Sequence, residues 1–100
     1  MGAAKATIDH DLIRRWVEER GGWPARVRNT GGHGDVGMIR IDFPGYSGES
    51  SLEKITWEEF FAKFEDKHLA LLYQDEEVKP GEPSRFNKLV SRDSIRESGE

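Results

Sequence analysis

Ile55-Thr56-Trp57-Glu58-Glu59-Phe60-Phe61-Ala62-Lys63-Phe64 is the stretch on which the fold turns. Thr56 and Glu59 stand three apart as a capping box, in which each side chain accepts a hydrogen bond from the other residue's backbone N–H, and Ile55 and Phe60 occupy the positions of a hydrophobic staple. Trp57, Phe60, Phe61 and Phe64 then recur at i, i+3, i+4 and i+7, one apolar stripe of a helix. The pattern predicts a helix over about residues 57–67. Just beyond it, Leu69–Gln74 (LALLYQ) is almost continuously apolar. A run of that length reads as a central strand covered on both faces.

The upstream half repeats this order. Asp9 or Thr7 caps a helix whose Leu12, Ile13, Trp16 and Val17 share a stripe, and Gly21-Gly22 ends it. Ala25–Arg28 reads as a short strand, Asn29–Asp35 as a polar, glycine-rich hairpin connection, and Val36–Phe43 as a half-buried strand. In that last strand Ile39, Ile41 and Phe43 face inward, with Met38, Arg40 and Asp42 on the other side. Pro44–Ser51 (PGYSGESS) is turn-forming sequence and predicts a loop. Asp75–Ser84, with Pro80-Gly81 and Pro83, predicts a turn; Phe86–Val90 predicts a last strand.

The expectation is therefore an α+β, two-layer fold in the order αββαββ, two helices on an antiparallel sheet of about four strands. Leu12, Ile13 and Trp16 overlay Phe60, Phe61 and Phe64 at an offset of 48, which suggests a duplicated unit. Residues 1–92 make the expected single domain. Residues 93–100 carry too little apolar surface to offset the entropy of ordering them and read as a disordered tail.

Composition narrows the function classes. The chain has 100 residues, 15 basic and 19 acidic, for a net charge of −4. Residues 1–43 hold seven basic and six acidic groups, net +1, and residues 44–100 eight and thirteen, net −5. An acidic balance disfavours unspecific attraction to nucleic acid or an anionic membrane. With no cysteine, disulfides, thiolate metal sites and thiol nucleophiles are excluded. No apolar run approaches the roughly 20 residues that cross a bilayer, and Met1–Ala6 lacks a secretory apolar stretch. The cytoplasm is the expected address, without membrane association.

Individual motifs carry little chemistry. His10, His33 and His68 have no spacing that sets two imidazoles on one helical face, so no metal is expected. Gly45-Tyr46-Ser47-Gly48 is not a nucleophile elbow, because its second glycine falls one residue early and no helix follows. The glycines at 31, 32, 34, 45 and 48 fit neither the dinucleotide fingerprint nor the phosphate loop, so no cofactor is expected. Asp75-Glu76-Glu77 lacks the spacing of a calcium loop and reads as a solvated turn. Arg14, Arg15, Arg20, Arg26 and Arg28, near Trp16 and Trp23, form the main candidate patch: guanidinium groups hold anions and an exposed indole stacks on a base or sugar.

The stretches 9–22 (DHDLIRRWVEERGG), 41–48 (IDFPGYSG), 55–61 (ITWEEFF), 69–74 (LALLYQ) and 86–92 (FNKLVSR) resemble a family of small uncharacterised bacterial proteins, over about Asp9 to Arg92. The resemblance implies no mechanism. Some relatives carry the label 1,4-α-glucan branching enzyme, which implies a (β/α)8 barrel. Such a barrel alone takes about 250 residues and does not fit here, so the label reads as a transferred error.

The functional expectation is a non-enzymatic binding or interaction domain, with Trp23, Arg26, Arg28, Tyr46 and Ser47 as contact residues on the Arg/Trp surface and the 42–51 loop. The expected partner is a protein, and the chain a monomer or homodimer. Two alternatives differ in class. One is single-stranded nucleic-acid binding through the Arg/Trp patch. The other is a small enzyme using the His33/Asp35 loop with Ser47 or Tyr46, which requires those groups to converge in one cleft.

Overall fold

Both long helices start where a side chain caps them. The computed structural model describes residues 4–32, 34–45 and 51–98. Among these the order is β1 (Lys5–Thr7), α1 (His10–Glu19), β2 (Trp23–Val27), β3 (Ile39–Asp42), β4 (Leu52–Lys54), α2 (Trp57–Asp66), β5 (Leu69–Tyr73), β6 (Glu77–Lys79), β7 (Glu82–Pro83), β8 (Asn87–Ser91) and α3 (Arg92–Ser98). Asp9 caps α1 by accepting the N–H groups of Asp11 and Leu12. Thr56 caps α2 in the complete reciprocal box with Glu59. Each cap satisfies donors that the first helical turn leaves open.

The α+β class holds, but the expected layout of two helices on one four-stranded sheet does not. The described residues form three helices, two three-stranded antiparallel sheets ordered β1-β5-β8 and β3-β2-β4, and the small hairpin β6-β7. The strands β1 and β4 are the additions that change the layout. Each has three residues and little burial, so neither carries an alternating pattern. Their strand conformation comes from pairing with the far half of the chain: Lys5 faces Tyr73 and Glu53 faces Arg26. Asp42 also departs from its expected outward position. It is buried, and its carboxylate accepts the Phe43 N–H at 2.9 Å. Most of the expected tail is occupied by α3.

The duplicated unit reappears in the topology. β1 and β4 begin at residues 5 and 52 and α1 and α2 at 10 and 57, an offset of 47; β2 and β5 begin at 23 and 69, an offset of 46. The pairing of Trp23 with Asp42 returns as Leu69 with Ser91. The expected offset of 48 thus shifts by one. Ile13 and Val17 correspond to Phe60 and Phe64, all four with no solvent exposure. The units also exchange strands, since β1 joins β5 and β4 joins β2.

Neither half closes a core alone. The central cluster takes Ile13, Trp16, Val17, Ile39, Ile41 and Phe43 from the first half and Phe60, Phe64, Leu71 and Tyr73 from the second. Burying a side chain of this size stabilises by about 1.5–3 kcal/mol relative to exposure, and here each gain needs both halves. The helices are tied by a reciprocal pair of contacts. His10 Nε2 lies 2.7 Å from Glu65 Oε2, and Trp57 Nε1 donates to Glu18 Oε2 at 3.1 Å. At an offset of 47, His10 corresponds to Trp57 and Glu18 to Glu65, so the two contacts are one contact made twice. The Phe61 ring stacks on His10 at 4.0 Å and on Trp57 at 5.3 Å.

Candidate functional site

The connection from β2 to β3 is built to hold one carboxylate at a fixed place. Thr30 Oγ1 donates to the Val27 carbonyl and accepts the Met38 N–H at 3.1 Å. Gly32 and Asp35 exchange backbone hydrogen bonds of 3.0 Å, and Asp35 Oδ1 accepts the Gly37 N–H at 3.1 Å. Gly37 has φ 91°, and a Cβ there would lie 2.3 Å from Thr30 Oγ1. The turn therefore requires glycine at that position. Arg26 braces the same loop from beneath, donating to the carbonyls of Thr30 and Val36 while its guanidinium pairs with Glu53 at 2.7 Å.

Lys63 reaches this turn from α2. Its Nζ lies 2.5 Å from Asp35 Oδ1, and its side chain is only 10% exposed against 51% for Asp35. The Lys63 ammonium, first, and then the Gly37 N–H hold the Asp35 carboxyl below the usual carboxylate range, with a smaller contribution from Lys67.

A cleft of about 420 Å³ opens beside this pair. Ile39, Leu69 and Leu89 give it an apolar wall, Met38 stands at its mouth, and Arg40, Lys63 and Lys67 bring three cations against the single carboxylate of Asp35. Lys67 is exposed and makes no ion pair among the described residues. The cleft's volume lies in the range of small-molecule sites, roughly 300–1,000 Å³. The arrangement suits a ligand that is apolar at one end and anionic at the other.

The residues expected to form a site fall elsewhere. Arg26 is drawn into the loop brace and the Glu53 pair. Arg28 is exposed, with its backbone N–H donated to the Ser51 carbonyl. Trp23 is half-buried on β2, and Lys54 Nζ stands 5.8 Å from its ring centroid. Arg14 pairs with Glu18 at 3.2 Å, and Arg20 is folded inward over Trp16. Tyr46, Ser47 and His33 lie outside the described residues. Asp35 of the expected enzymatic loop does line the cleft, but as the ion-pair partner of Lys63.

Lys63, Lys67 and Arg40 were not singled out by sequence. Lys63 carried a signal all the same: it stands at i+3 from Phe60, on the edge of an apolar stripe, at the position that Trp16 holds in α1. Among the described residues no three His, Asp or Glu side chains cluster as a metal site requires, and no helix is long and apolar enough to cross a membrane. Comparison with family models, curated proteins and solved structures found no match to this α+β chain.

Proposed function

We propose that this chain is a non-enzymatic binding domain whose cleft takes a small ligand with an apolar body and an anionic head. One observation carries the reading: in a chain of net charge −4, an apolar wall is rimmed by three cations and one carboxylate. The excess of positive charge favours an anion, and the wall of Ile39, Leu69 and Leu89 favours an alkyl or aryl body. Asp35 is a weak base, since its ion pair with Lys63 lowers the affinity of the carboxylate for a proton.

Calorimetric titration with octanoate, octanol and inorganic phosphate tests the proposal. Octanoate binds saturably, and the neutral alcohol and bare anion bind at least tenfold more weakly. Lys67→Ala weakens octanoate by about five- to tenfold, as loss of one partly exposed charge-assisted contact would. Equal binding of octanol and octanoate, or no octanoate binding at millimolar concentration, would contradict it.

A further inference from the structure

We infer that Asp35 is an internal stand-in for the ligand's carboxylate: on binding, the Lys63 ammonium passes from Asp35 to the ligand, while Asp35 keeps the Gly37 N–H. The inference rests on the cleft being the binding site, and it concerns how that site is kept when empty.

The Lys63 side chain is nine-tenths buried, and a buried ammonium without a partner is costly. An empty cleft therefore needs an anion from the protein itself. Asp35 supplies it from a half-exposed position on the hairpin, at the mouth of the same cleft.

The second half of the chain shows that the turn does not need the charge. Gly37 N–H donates to Asp35 Oδ1, and Phe86 N–H donates to Ser84 Oγ at 3.1 Å. Residues 35 and 37 correspond to 84 and 86 at the offset of 49 that relates Asp42 to Ser91. A neutral hydroxyl thus accepts the same backbone donor in the equivalent turn. The cation at that end, Arg20, corresponds to Lys67 and is satisfied by the carbonyls of Ser84 at 2.6 Å and Trp16 at 3.1 Å. What Asp35 adds over Ser84 is a negative charge, and that charge meets Lys63. A ligand carboxylate entering along the apolar wall competes for the same ammonium, with Lys67 and Arg40 beside it.

Asp35→Ser is the direct test, since it keeps the turn acceptor that Ser84 uses and removes the internal competitor. Octanoate binds this variant at least tenfold more tightly than the parent chain, and Asp35→Asn gives the same direction should the serine variant fold poorly. In the parent chain, the Gly37 amide resonance shifts on saturation with octanoate, because Lys63 leaves the Asp35 Oδ1 that accepts its hydrogen bond. Unchanged or weaker binding by both variants would overturn the inference, as would a stationary Gly37 amide while Arg40 and Lys67 amides move. Absence of octanoate binding to parent and variants alike would instead remove the cleft as the site.

Discussion

Residues 5–42 and 52–91 repeat one plan of strand, helix, strand, hairpin and strand, yet their equivalent corners end differently. At the C-terminal end of α1, Arg20 folds inward with its side chain 6% exposed, lies 4.3 Å over the Trp16 ring and donates to two carbonyls. Burial lowers its pKa from the ordinary arginine value, with Asp75 and Glu19 opposing that shift. At the C-terminal end of α2 the equivalents are Lys67 and Lys63. Lys67 stays in solvent, and Lys63 has no indole bulk with which to fill the space. One corner is closed by a planar guanidinium and an aromatic ring; the other is left as a cleft with free positive charge. The opening is therefore not dictated by the fold, because the same plan fills the equivalent corner in the other half.

The largest effect tests whether the two halves share one core. Phe60→Ala lowers stability by about 3–5 kcal/mol and Ile13→Ala by about 2–5 kcal/mol, and in thermal denaturation each variant unfolds in a single transition. Two separate transitions would show that the halves are independent and would break the comparison. Gly37 and Phe86 come next. Gly37→Ala forces a side chain into a left-handed backbone conformation against Thr30 and costs about 1–3 kcal/mol, whereas Phe86→Ala, at an exposed position, costs less than about 1 kcal/mol. Chemical denaturation of the two variants measures both.

The caps supply a smaller and more symmetric effect. Thr56→Ala and Asp9→Ala each remove an N-cap acceptor and each cost about 1 kcal/mol, measurable by denaturant midpoints. Acid titration gives the smallest. Asp35 is held below the usual carboxylate range by Lys63 and the Gly37 N–H, and Glu65 by Arg92 and then His10. A depressed folded-state pKa stabilises the protein above the unfolded pKa, roughly 4, and that contribution is lost as pH falls through the lower folded value. Asp35→Asn and Glu65→Gln therefore differ from the parent at neutral pH, and the difference shrinks below about pH 4. A difference that persisted at lower pH would assign the effect to packing rather than charge.

Local chemistry made much of the fold legible. The Thr56/Glu59 box, the Phe60/Phe64 stripe and the Leu69–Tyr73 run each form as their residues require, because capping and amphipathic periodicity act within a few positions. β1 and β4 were not legible. Their pairing partners lie 68 and 27 residues away for Lys5 with Tyr73 and Glu53 with Arg26, and nothing in Lys5–Thr7 or Leu52–Lys54 announces them. The cleft was half legible. The glycine-rich loop with Asp35 stood out, but the lysines opposite it belong to α2 and its C-cap, and only the tertiary fold brings helix and hairpin together. The partners of the arginines near Trp23 were not legible for a related reason: Arg20 and Arg26 find carbonyl and carboxylate acceptors that are distant in sequence or hidden in the loop.

The central claim is that the two equivalent corners differ in one being open to an apolar anion. Amide chemical shifts of the intact protein titrated with octanoate test it most directly. Saturable shifts are predicted at Gly37, Arg40 and Lys67, with the amides of Phe86 and Arg20, equivalent to Gly37 and Lys67, moving less. Equal shifts at both corners, or shifts confined to the Arg20 corner, would contradict it.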